Sequence, residues 1–167
     1  MSPVLLMATL LAGCTDTTVT APVDLAPHAP ELSECAACGM VVREQPAPRG
    51  QVVYRGGEHR FTCSLGDLRA TLQNPDPLGR PERVYVEVLP EGFDAASADP
   101  APHPWMPAED AWYVFGAKRP HVMGIPVLSF ADREAAEVAA TSYSTAPVPW
   151  EAVLRTPFNE TPPSEVP

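Results

Sequence analysis

The sequence predicts an α+β fold made of two small ββαβ halves. Three observations predict it. The order strand, strand, helix, strand can be read twice along the chain. Each half places a phenylalanine just ahead of its helix, Phe61 and Phe130. A Pro/Ala/Asp-rich stretch over 90–104 separates the two runs.

In the first half, "GMVVRE" and "QVVYRGGEHRFTC" are rich in β-branched and aromatic residues, and Gly56-Gly57 in the second of them marks a hairpin turn. "SLGDLRATLQ" follows, with Leu65, Leu68 and Leu72 at helical spacing and Ser64 as N-cap. In "RVYVEVL", Val84, Val86 and Val88 alternate with Tyr85 and Glu87, the period of a strand. In the second half, "AWYVFGA" reads as a strand and "HVMGIPVLSF" as another, with Pro126 placing it at an edge or bulge. "ADREAAEVAATS" combines strong helix formers with an acidic first turn. "PWEAVLR" is expected to close this half as a strand.

The N-terminus carries a different signal. "MSPVLLMATLLAGC" is an apolar run too short to span a bilayer as a helix, and it ends in small residues before Cys14. That is the pattern of a lipoprotein signal, in which Cys14 is acylated and becomes the first mature residue. Residues 1–13 contain no Lys or Arg, a departure from the usual positive start. "TDTTVTAPVDLAPHAP" then reads as a semi-rigid tether. The expected organisation is a signal peptide over 1–13, lipidated Cys14 and tether over 14–32, a first half over 33–89, a linker over 90–104, a second half over 105–155, and a Pro-rich tail over 156–167. The chain holds 22 prolines, well above the roughly 5% of average usage, and they concentrate in these connecting blocks. The formal net charge of −10 argues against nucleic acid or an anionic lipid surface as a partner.

With Cys14 acylated, Cys35, Cys38 and Cys63 remain, an odd number for an oxidising compartment. The stretch "CAACGM" (35–40) admits three chemistries. A thioredoxin-like dithiol should open a helix, but Gly39 and a β-rich run follow. A zinc site needs a second pair at ligand spacing, and none follows. Thiolate and thioether donors together select Cu(I), and Met40 lies two residues after Cys38, on the same face of an extended chain. "RPHVMGIP" repeats the flavour, since His121 and Met123 would share one face of a strand. The bland readings are a surface histidine and a core-filling methionine. Elsewhere, Cys63 reads as a small buried hydrophobe closing its strand and Asp67 as an exposed first-turn acid. His59 reads as solvent-facing, His28 as part of the tether, His103 as part of the linker, and Met106 as packed on Trp105.

The lipobox at Cys14, "CAACGM" at 35–40, and "PWMPAEDAWYVFGAKRPHVMGIPVLSFADREAAE" at 104–137 resemble the NosL family of copper-binding lipoproteins. The resemblance covers roughly 33–142. It implies two homologous ββαβ halves akin to the organomercurial lyase core. It also implies binding of one Cu(I) and its transfer to a partner without catalysis, the client being apo-nitrous oxide reductase or its membrane assembly complex. By position, Cys35, Cys38 and Met40 match the family motif and Met123 matches its Met-Gly, while His121 is retained on its chemistry. The rival readings are an extracytoplasmic thiol-disulfide oxidoreductase using Cys35 and Cys38, and a structural lipoprotein in which that pair only staples a turn.

Overall fold

The computed structural model describes residues 22–119, 121–122 and 126–156. Cys14 and Met123 lie outside the described residues.

A four-stranded antiparallel sheet has the order β2-β1-β3-β4, with β1 at Gly50–Tyr54, β2 at His59–Thr62, β3 at Pro81–Glu87 and β4 at Trp105–Pro107. β1 and β2 form the expected hairpin, in which Gly57 sits at φ +85 and its N–H reaches Tyr54 O at 2.9 Å. A left-handed residue there favours glycine. Between β2 and β3 runs α1, Leu65–Gln73, capped by Ser64 as its sequence signals. Leu65 and Leu68 pack with Val52, Tyr54 and Val86 in the main core. Full burial of each such side chain contributes about 1.5–3 kcal/mol. The helix crosses close over Gly50, where a Cβ would stand 2.6 Å from Thr62 Oγ1 and 2.9 Å from Leu68 Cδ2.

β5 (Trp112–Phe115) and β6 (Val127–Phe130) pair antiparallel as a second sheet, followed by α2 at Arg133–Thr141 with Asp132 as N-cap. The two sheets meet where Leu89, just past β3, donates to Ser129 O at 2.8 Å and Ser129 Oγ donates to Glu87 O at 2.5 Å. The segment over 90–104 is anchored rather than loose. Buried Arg49 binds both Glu87 carboxylate oxygens, at 2.6 and 2.7 Å, and donates to the carbonyls of Pro100 and Ala101.

The mixed α and β content agrees with the expected class, but three local expectations fail. "GMVVRE" is not a strand. Val41 makes one bridge to Glu34, and Val42–Glu44 is a 3-10 helix that drops Val42 into a small core with Phe61. Pro46 and Pro48 follow and cannot donate to a ladder. "PWEAVLR" is α3, Trp150–Arg155, because Trp150 and Val153, three apart, bury together on the main core. Its strand role shrinks to Val148, which exchanges backbone hydrogen bonds with Tyr113 at 2.8 and 2.9 Å. In "HVMGIPVLSF" the strand among the described residues is Val127–Phe130 and His121 lies in a turn, while the expected pairing of His121 with Met123 falls outside the described residues.

The near end of the expected tether also has a fixed place. Gln51 accepts from His28 N–H at 3.0 Å and donates to His28 O at 2.7 Å, and Tyr85 Oη donates to Leu25 O at 2.9 Å. Gln51 pairs across the sheet with Tyr85 and with Phe61, so all three share one face. That face is opposite Val52 and α1. His59 lies on it too. It is half-buried rather than solvent-facing, and its ring stacks on His28 with centroids 4.1 Å apart.

Candidate metal centre

The stretch 35–40 folds into a closed loop. Cys35 N–H donates to Met40 O at 2.8 Å and Gly39 N–H to Cys35 O at 2.9 Å. Gly39 stands at φ +76, the tight-turn role its position signals. The loop docks on β2: Ala36 N–H donates to Phe61 O at 2.8 Å, and Cys35 bridges Phe61 in parallel. This brings Cys35 and Cys38 to the end of β2, where Cys63 precedes the cap of α1. Cys63 and Asp67 stand four residues apart at the helix start, so the Asp67 carboxylate turns back onto the Cys63 sulfur.

The result is a cluster of three thiols and one carboxylate. The ligand atoms of Cys35, Cys38, Cys63 and Asp67 all lie within 4.8 Å of one another. Cys38 Sγ is 3.4 Å from Cys63 Sγ. Cys63 Sγ donates to Asp67 Oδ2 at 3.0 Å, and Cys35 Sγ lies 3.8 Å from the same oxygen. Cys63 N–H donates to Cys35 Sγ at 3.4 Å. Cys35, Cys63 and Asp67 are buried; Cys38 is half-buried and forms the open side. Beside the loop a cleft of about 520 Å³ opens between Ala36, Ala37, Arg60, Thr71 and Asp76.

The thiols divide their protons unequally. Cys35 is pulled down to about 5, first by the hydrogen bond from the Cys63 thiol and then by the backbone N–H groups of Cys63, Cys38 and Ala37, against burial. Cys63 is pushed far up by that same bond to Cys35, by burial and by Asp67. Asp67 Oδ2 also draws the Cys63 proton, but it is the bond to Cys35 Sγ that makes Cys63 the thiol and Cys35 the thiolate. Burial also raises Cys38. A buried thiolate beside two thiols and a carboxylate is a donor set that could hold a soft metal ion, which would displace the remaining protons on binding.

The structure thus joins Cys35 and Cys38, and adds Cys63 and Asp67, for which the sequence alone predicts a small hydrophobe and an exposed acid. The missed signal was the four-residue offset of Cys63 and Asp67 around a recognised N-cap. Met40 is 36% exposed at the loop's end. His121 is exposed, and among the described residues no contact joins it to the cluster.

Residues 28–154 match the NosL family. This chain belongs to the NosL family. It is 27% identical over 110 residues to the copper-binding lipoprotein NosL of Stutzerimonas stutzeri, a match covering 66% of this chain and 56% of that relative's length. It also resembles the crystal structure of the copper chaperone NosL from Shewanella denitrificans, with TM-score 0.62 and 25% identity, over 80% of this chain and 98% of that one. These NosL relatives are a copper-binding lipoprotein and a copper chaperone, not enzymes. No helix among the described residues is long and apolar enough to cross a membrane.

Proposed function

We propose that this NosL chain is a Cu(I) carrier, held at the extracytoplasmic face of a bacterial membrane through acylated Cys14, that hands copper to a cuproenzyme under assembly. The thiol cluster is the observation that carries this reading. Cys35 and Cys38 bind as thiolates with Cys63 beside them. Met40 is the thioether at the open side, and His121 and Met123 are further donors. Asp67 is a hard donor that Cu(I) does not prefer. Its part is to hold the Cys63 proton until metal arrives.

Cargo transfer needs a reachable edge. Cys38 and Met40 provide it, so that an acceptor's ligand attacks before the carrier's last sulfur leaves. Anchoring at Cys14 confines the carrier near a membrane-bound acceptor and raises its effective concentration. The net charge of −10 steers it toward a basic partner. Apo-nitrous oxide reductase, or the membrane complex that assembles it, is the client this reading names.

The test is an anaerobic titration of the reduced chain with Cu(I) against a chromophoric chelator. One tight equivalent is expected, weakened by Cys35→Ser, Cys38→Ser and Met40→Ala, and less by His121→Ala and Met123→Ala. No competitive binding in the wild type would end the copper reading.

A further inference from the structure

We propose that Cys38 and Cys63, rather than the two cysteines of Cys-x-x-Cys, are a disulfide-forming pair, and that an external disulfide closes the centre by stapling the 35–40 loop to the end of β2. The loss of metal binding on closure rests on the copper reading above; the pairing itself does not.

Geometry selects the pair. The two sulfurs already touch at 3.4 Å, and a disulfide requires a further approach of roughly 1.4 Å. The backbones need no new docking, since Ala36 already donates to Phe61 O and Cys35 already bridges Phe61. Cys35 is otherwise engaged. Its sulfur accepts the Cys63 amide N–H at 3.4 Å, and its own N–H and C=O close the loop onto Met40 and Gly39. Swinging Cys35 toward Cys38 would strip a buried amide of its acceptor, at a cost of about 1–3 kcal/mol.

Access sets the order of events. Cys38 is the half-open thiol and meets the oxidant; Cys63, 5% exposed, resolves from beneath. Cys38 gives up its proton to solvent and the thiolate so formed attacks one sulfur of a small disulfide RS–SR, so that a Cys38–SR bond forms, the RS–SR bond breaks and RS⁻ leaves and takes up a proton. The Cys63 proton departs with Asp67 Oδ2 as its nearest carboxylate acceptor, 3.0 Å away. The Cys63 sulfur then attacks Cys38 Sγ, the Cys38–Cys63 bond forms, and the second RS⁻ leaves. Two protein thiols are oxidised, RS–SR is reduced to two RSH, and both thiol protons end on those products. The closed form leaves Cys35 as the single thiol of the cluster.

Oxidised glutathione is the probe. The reduced, metal-free chain is incubated with it, quenched with N-ethylmaleimide and digested with trypsin. Cys63 falls in the peptide Phe61–Arg69, while Cys35 and Cys38 both precede Arg43. Expected is a cross-link between those two peptides with maleimide on Cys35. In Cys63→Ser, Cys38 should instead accumulate as the glutathione mixed disulfide. Recovery of Phe61–Arg69 with maleimide on Cys63, beside a Cys35–Cys38 bridge or three alkylated thiols, overturns the pairing. The oxidised chain should hold Cu(I) against the chelator at least tenfold less well, and unchanged competition overturns closure. Cross-linking without Cu(I) binding by either form leaves the pair standing and removes the copper reading; Cu(I) binding without cross-linking does the reverse.

Discussion

The Cys63 thiol donates to Asp67 Oδ2 over 3.0 Å, and the same oxygen accepts the Ser64 hydroxyl at 3.0 Å. Ser64 Oγ in turn accepts the Asp67 N–H at 3.1 Å, so the cap of α1 and the thiol cluster share one carboxylate. Helix initiation and thiol chemistry are coupled at this point. The cap fixes the carboxylate, and the carboxylate holds a proton on Cys63.

Asp67→Asn removes the charge while keeping the shape. The Cys63 thiol should then ionise about one unit or more lower, since a like charge no longer opposes the thiolate. The readout is the higher-pH step of the thiolate ultraviolet absorbance in the metal-free protein. A step that stays in place would show that the bond to Cys35 and burial hold the Cys63 proton without Asp67.

Cys35 should remain a thiolate down to about pH 5. One equivalent of thiolate absorbance should persist at neutral pH in the wild type and vanish in Cys35→Ser. Its folded value lies below the ordinary 9.0, so its stabilising contribution is complete above pH 9 and is lost as pH falls toward 5. Chemical denaturation at several pH values, wild type against Cys35→Ser, should show the difference between the two shrinking over that interval.

Glu87→Ala strips the partner from Arg49, whose side chain is buried against it at 2.6 Å. Breaking a buried pair from one side costs roughly 3–5 kcal/mol. The midpoint of urea unfolding should fall accordingly. The segment over 90–104 should become protease-sensitive, because Arg49 also holds the carbonyls of Pro100 and Ala101. A variant with wild-type midpoint and protease resistance would contradict the anchoring role.

His59 is held below its ordinary 6.5 first by burial and then by the facing His28, with Asp24 opposing. A base depressed in the folded state contributes stability above 6.5 that is lost as pH falls through its folded value. Residues 24–28 should therefore loosen from the sheet in mild acid. Hydrogen exchange at the His28 amide, bonded to Gln51 Oε1, reports it: protection should drop below pH 6.5 and should not drop in His59→Phe.

Much of this molecule was legible because its signals are local. Ser64 and Asp132 cap their helices by contacts three residues away, and Gly57 turns a hairpin within a few residues. The Cys-x-x-Cys-Gly-Met loop is legible for the same reason, since its backbone hydrogen bonds close inside six residues. The short apolar segment over 150–155 was ambiguous, since its apolar residues satisfy either period until a core chooses one face. Tertiary structure alone assembled the candidate metal centre. Cys63 lies 25 residues from Cys38 and meets it only because the loop docks on β2 at Phe61. Asp67 joined for a similar reason, as a carboxylate at a helix start is an exposed acid or a buried acceptor according to what is packed on it.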